Sequence, residues 1–162
     1  MRTLRLTSKL SQKIAVFPKK SLPLEDNPLC DWTARLLTAK RVQYIVITNT
    51  SFLYSCIMKG RGITDEASFV RQVDRSIKEQ MRNDGLIFHY ERFLAPHIGE
   101  TVFSKALNQS VTGSMNDIVQ HIKFYIEGWG LPLAEVSNRI LNLPMKSLGY
   151  ECPITVLRQM KR

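Results

Sequence analysis

The sequence has few cysteines and no long apolar run, and both absences exclude classes of protein. Its three cysteines, Cys30, Cys56 and Cys152, are an odd number and form no C-x-x-C pair, which argues against a disulfide framework and a zinc finger. The most apolar run, residues 44–47, is far shorter than the roughly 18 residues of a membrane span. The basic amino terminus also lacks the apolar segment of a secretory signal. We therefore predict reduced thiols and a cytoplasmic protein with no membrane partner.

The signatures of common catalytic and cofactor sites are also missing. No Walker A, G-x-G-x-x-G or G-x-S-x-G motif occurs. His89-Tyr90-Glu91 has the H-x-E spacing of zinc deaminases, but no P-C-x-x-C follows it. We predict no metal and no cofactor, and the sequence leaves open whether the protein is an enzyme.

Acidic residues are absent from the first twenty positions, which hold six basic residues. Residues 21–138 hold twelve basic and thirteen acidic residues, and residues 139–162 hold five basic and one acidic. The net charge of +9 therefore comes from the two ends. If the ends meet in the fold, they form a positive face suited to nucleic acid or another anionic ligand. The alternative is that these residues serve solubility alone.

Hydrophobic periodicity predicts an α+β fold in a single domain over residues 1–162. We expect a small, at least partly antiparallel sheet of three to four strands flanked by five or six helices. Strands are predicted at residues 3–6, 42–48, 52–57 and 101–107. Helices are predicted at residues 9–14, 32–37, 118–126, 133–143 and 154–161, and a further one starts at 64–66 and closes at 83–85.

Residues 108–117 form the most concentrated polar stretch, directly before an apolar helical run. We predict a loop in which Ser114 caps the helix, Asp117 completes a capping box and Gly113 adopts a backbone conformation that side chains resist. Capping leaves further polar groups free, and a helix amino terminus favours phosphate or carboxylate. The candidate ligand-binding residues here are Asn108, Gln109, Ser110, Gly113, Ser114 and Asn116.

Two other polar segments complete the predicted site. Asp31 and Trp32 begin a predicted helix, with Asp31 as its cap, and Asn49 ends a predicted strand. We expect Asp31, Trp32 and Asn49 to converge with the loop at one end of the sheet. The leading hypothesis is a binding module for nucleic acid or a nucleotide-like ligand, using residues 108–117 and the basic ends.

Two alternatives remain open. Asp117 and His121 lie four residues apart, so on one helix they share a face and could perform the acid–base chemistry of a small hydrolase or transferase. The other alternative is a protein-interaction partner with an exposed apolar patch and no ligand site.

Four segments resemble an uncharacterised bacterial family, domain of unknown function 6933. They are C-D-W-T-A-R-L-L from Cys30, the strand ending in Asn49, the loop N-Q-S-V-T-G-S-M-N-D and the closing L-P-M…P-I. The family's corresponding segments look like G-D-W-Y-A-N-L-L, V-N-E and N-R-S-V-L-G-S-M-N-D. The sequence departs at Gln109, Thr33 and Thr50, where the family commonly has arginine, tyrosine and glutamate. The resemblance implies a single-domain bacterial cytosolic protein and brings no established activity.

Overall fold

The computed structural model describes residues 1–107 and 109–160, with the backbone alone for residues 109–112. Within these residues the chain forms a five-stranded mixed sheet and six helices, so the α+β prediction is confirmed. The strands are β1 (Arg2–Leu6), β2 (Asp31–Ala39), β3 (Val42–Asn49), β4 (Ser55–Lys59) and β5 (Thr101–Lys105). The helices are α1 (Ser8–Ile14), α2 (Glu66–Asn83), α3 (Ile87–His89), α4 (Gln109–Glu127), α5 (Leu133–Leu141) and α6 (Pro153–Arg158).

The first strand of the chain lies inside the sheet, whose strand order is β4-β3-β2-β1-β5. β1 runs parallel to both of its neighbours, with Thr3 opposite Asp31 on β2 and opposite Val102 on β5. β3 runs antiparallel to β2 and to β4, so the sheet is partly antiparallel, as predicted. The carboxyl ends of the three parallel strands therefore point the same way.

Helices cover both faces of the sheet. Because side chains alternate between the faces of a strand, Arg2 and Trp32 share one face and Arg35 lies on the other. Arg2 forms an ion pair with Asp74 of α2, and the Arg35 guanidinium donates to the Asn116 side chain of α4 at 2.6 Å. Helices α2 and α4 thus pack on opposite faces.

The longest predicted helix, which starts at residues 64–66, is confirmed as α2. Asp65 and Ser68 form a reciprocal capping box at the amino terminus of α2. Its four apolar residues at a spacing of four, Phe69, Val73, Ile77 and Met81, are all fully buried. None of the described helices is both long and apolar enough to cross a bilayer.

The helix predicted at residues 32–37 is wrong, because this segment is the middle of β2. Asp31 therefore caps no helix and instead occupies the first position of a strand. Pairing with β1 on one side and β3 on the other outweighs the helical propensity of Ala34, Leu36 and Leu37. This strand raises the sheet from the predicted three to four strands to five.

The predicted loop at residues 108–117 is also wrong, because α4 already begins at Gln109. Met115, Ile118 and Ile122 are buried at spacings of three and four, so the apolar stripe of α4 extends back into the polar stretch. Gly113 lies within the helix, and the Ser114 hydroxyl contacts Ser147 at 2.8 Å. Asn108 lies outside the described residues, as do the side chains of Gln109 and Ser110.

Candidate functional site

Asp31 is fully buried, and its carboxylate is used within the protein. Both of its oxygens accept hydrogen bonds from the Arg5 guanidinium, at 2.8 and 2.9 Å. The Thr50 hydroxyl donates to one oxygen at 2.7 Å, and the backbone N–H of Glu25 donates to the other at 3.1 Å. These four donors use the hydrogen-bonding capacity of a carboxylate. The contacts give Asp31 a structural role, and its ligand-binding role stays a prediction.

Trp32 and Asn49 are likewise fully buried. The Trp32 indole N–H donates to the Leu29 carbonyl at 2.6 Å. The Asn49 side-chain oxygen accepts from the backbone N–H groups of Ser51 and Phe52, and its amide donates to the Pro28 carbonyl at 2.9 Å. Asn49 thus fixes the turn between β3 and β4, and ligand binding by either residue stays a prediction.

Only part of the expected convergence occurs. Asp31, Trp32 and Asn49 meet where β2 begins and β3 ends, since Trp32 lies opposite Asn49. Helix α4 instead follows the carboxyl end of β5, and β5 is parallel with β1 and β2. The expectation that residues 108–117 join the other two segments is therefore wrong for the described residues of α4.

A hollow of about 880 Å³ among the described residues opens at the carboxyl ends of β1 and β5. The chain leaves these adjacent strand ends through α1 and α4, and ligands of parallel sheets bind at such strand ends. We call this hollow the strand-end cavity. Its lining residues are Leu6, Thr7, Ser8, Ser11, Gln12, Phe17, Pro18, Thr33, Arg35, Lys105, Ala106, Leu107, Met115 and Asn116.

Arg35 is one of the two charged residues of the described lining of this cavity. It is half-buried, and the loss of hydration lowers the pKa of its guanidinium from the usual value. Arginine nevertheless stays protonated at neutral pH. The Asn116 oxygen accepts a hydrogen bond from Arg35, and no carboxylate of the described residues lies within ion-pair distance of it. A half-buried cation therefore faces the cavity without a counter-ion.

Polar groups around Arg35 complete a lining suited to an anion. The exposed Lys105 adds a second positive charge, and the described residues of the lining include no aspartate or glutamate. Thr7 precedes α1 but its side chain does not cap that helix. The Ser11 side chain is buried and also lines the cavity. The Thr33 hydroxyl differs, because it is bonded to Thr50 at 3.0 Å.

Asp117 and His121 are both exposed on α4 and lie outside the strand-end cavity. The His121 Nδ1 lies 2.8 Å from the backbone carbonyl of Asp117. Within the described residues, the Asp117 carboxylate makes no hydrogen bond to the His121 ring. His121 instead borders a shallow hollow with Phe124 and Trp129. The Asp117 carboxylate therefore does not orient the imidazole, and the catalytic role of the pair stays a prediction.

The basic ends contribute less free charge than their sequence indicates. Arg2 and Arg5 are buried in ion pairs with Asp74 and Asp31. The remaining basic residues of the first twenty are lysines, and the backbone carbonyl of Lys20 accepts a hydrogen bond at 3.0 Å from the backbone N–H of Lys105, which lines the cavity.

Sequence reasoning missed Arg35, Lys105, Phe17 and the hydroxyls of α1. A signal for Arg35 was present, because Asp31, Thr33 and Arg35 alternate with Trp32 and Ala34 as polar and apolar positions do on a strand. Assigning the segment to a helix concealed this alternation. Residues of α1 and β5 line the same cavity because β1 and β5 are neighbouring strands. The local sequence does not specify which strands are neighbours.

The family comparison agrees with the resemblance noted from the sequence. A family model described as domain of unknown function (DUF6933) matches residues 3–156. No curated protein and no solved structure matches the chain. The match covers β2 to β5 in full, β1 from Thr3 onward, and all but the end of the last helix. The chain belongs to this uncharacterised family, DUF6933.

Proposed function

We propose that the protein is a binding module for an anionic ligand that carries a phosphate or carboxylate group, and that the ligand occupies the strand-end cavity. The observation that carries this proposal is Arg35, a half-buried guanidinium in a cavity with no acidic residue in the part of its lining that the structure describes. The anionic group of the ligand would form an ion pair with Arg35, as Asp74 does with Arg2 and Asp31 does with Arg5.

The energetics favour an anion at this position. Burial of a charge is unfavourable unless an opposite charge and hydrogen bonds offset the lost hydration. The planar guanidinium can donate two parallel hydrogen bonds to a phosphate or carboxylate. Asn116 fixes one of its nitrogens at 2.6 Å and so restricts the orientation of the rest. Lys105 and the hydroxyls of Thr7, Ser8 and Ser11 supply further donors around the cavity.

The lining supports binding better than acid–base catalysis. It contains no histidine, cysteine, aspartate or glutamate among the described residues, and histidine, aspartate and glutamate are the most usual proton carriers. Among the described side chains of the predicted polar stretch, Asn116 alone has a polar contact at the cavity, and that contact is with Arg35.

Isothermal titration with inorganic pyrophosphate at physiological salt tests this proposal. We expect saturable binding with one site per chain, and a loss of about tenfold or more in affinity for Arg35→Gln, since a hydrogen bond to a charged group contributes about 1.5–3 kcal/mol. Arg61→Gln is the matched control, because Arg61 is exposed outside the cavity and its loss changes net charge equally.

Two results would contradict the proposal. One is equal affinity of the Arg35 and Arg61 variants, which would assign binding to the net charge of the surface. The other is a lack of binding by the folded wild-type protein.

A further inference from the structure

Phe17 is an exposed aromatic side chain on the lining of the strand-end cavity. Its exposed fraction is 66%, although an unpaired phenyl ring gains free energy from burial. Within the described residues it stacks on no other aromatic ring and lies under no cation. It stands beside Pro18, which also lines the cavity and restricts the local backbone.

The cavity therefore combines two kinds of lining. One is polar and basic, formed by Arg35, Lys105 and the hydroxyls of α1 and its cap. The other is apolar and consists of Leu6, Phe17, Pro18, Ala106, Leu107 and Met115. A bare inorganic anion uses the first lining alone. A ligand that uses both carries a charged group at one end and a flat apolar group at the other.

We propose that the ligand contains a nucleoside 5′-phosphate unit, with its base stacked on Phe17 and its phosphate bound by Arg35. This inference rests on the proposed function and specifies its ligand. Stacking of a base on an aromatic side chain does not depend on one particular base, because every base has a π-face. Hydroxyls on the lining, such as that of Ser11, are suited to the ribose, which both donates and accepts hydrogen bonds. A volume of about 880 Å³ lies within the usual range for cavities that enclose small organic ligands.

The same unit occurs in a free nucleotide and at the 5′ end of a nucleic acid strand. A free nucleotide needs only the cavity, whereas a strand end also needs an open path for the following nucleotides. The two sources are therefore separated by the length of the ligand and by the presence of its terminal phosphate.

Calorimetric titrations with adenosine 5′-monophosphate and ribose 5-phosphate test the role of Phe17. We expect the nucleotide to bind the wild-type protein about 5- to 100-fold more tightly than the sugar phosphate, the range that stacking of one base provides. Phe17→Ala should reduce nucleotide affinity to that of the sugar phosphate and leave sugar phosphate binding unchanged. Phe88→Ala is the matched control, because Phe88 is similarly exposed, at 63%, and does not line the cavity.

The outcomes separate this inference from the proposed function. Equal affinities for the two ligands, both reduced in Arg35→Gln, would overturn stacking and leave anion binding intact. Absence of binding by either ligand would overturn both. An unchanged nucleotide affinity in a folded Phe17→Ala protein would also overturn the inference.

A third titration identifies the source of the nucleotide. Binding of a 5′-phosphorylated trinucleotide as tight as that of the mononucleotide, with loss of binding when the phosphate is absent, would support a strand end. Tight binding of the mononucleotide alone would support a free nucleotide. Equal binding of the phosphorylated and unphosphorylated trinucleotides would overturn the placement of the phosphate at Arg35.

Discussion

Three arginines lie on strands of the sheet, and they differ in burial and in the charge of their partners. Arg2 and Arg5 are fully buried, and each is neutralised by an aspartate. Arg35 is only half-buried, and its guanidinium donates a hydrogen bond to the side-chain amide oxygen of Asn116. Because an amide carries no charge, Arg35 keeps an electrostatic attraction for an anion that the other two have already satisfied.

The structural role of Asp31 predicts a change in stability rather than in binding. Asp31→Asn leaves the buried Arg5 guanidinium without a counter-ion, so the free energy of unfolding should fall by about 3–5 kcal/mol. Urea denaturation measures this loss, and Asp26→Asn, at an exposed position, is the control that should change stability little. The folded Asp31→Asn protein should keep its pyrophosphate affinity. A loss of affinity with unchanged stability would instead support the ligand-binding role predicted from the sequence.

At the scale of elements, the sequence specifies best those whose stabilisation is local. Helix α2 has its capping box and its apolar stripe within eighteen consecutive residues, so its position is predictable. Strand β2 derives its stability from two partners elsewhere in the chain, and its A-R-L-L segment alone favours a helix. Arg35 lies on this strand. Because the segment was predicted to be a helix, Arg35 was not predicted as a site residue.

The assignment of residues 109–117 to helix α4, in place of the predicted loop, can be tested at Gly113. A loop with a left-handed glycine at position 113 predicts that Gly113→Ala lowers stability. The structure places Gly113 inside α4, and a Cβ atom there would meet nothing within 4 Å. Gly113→Ala should therefore stabilise the protein by about 0.5–1 kcal/mol, as expected for glycine replaced by alanine in a helix. Urea denaturation decides between the two, and a loss of stability would contradict the helical assignment.

In the whole molecule, β1 joins the two parts of the sheet. It pairs with β2, which leads to the antiparallel β3 and β4, and on its other side with β5. The strand-end cavity lies next to this junction, and its lining comes from α1, β2, β5 and α4 together with the segments between them. Such a site could not be assembled from one motif, because its members are far apart in the sequence and meet only through the strand order.

Net charge is the competing explanation at this scale. A protein with a net charge of +9 attracts anions generally, and that attraction acts on the whole surface and weakens with salt. A built site instead concentrates the interaction on one guanidinium and the groups around it.

The most direct test follows the guanidinium N–H signals of all twelve arginines by nitrogen-15 nuclear magnetic resonance during a pyrophosphate titration at physiological salt. Substitution of single arginines assigns the signals. We expect the Arg35 signal to shift and saturate at one equivalent of bound ligand, while the ion-paired Arg2 and Arg5 signals stay fixed. Small, unsaturated shifts spread over exposed arginines, with Arg35 unchanged, would contradict the existence of an anion site in the strand-end cavity.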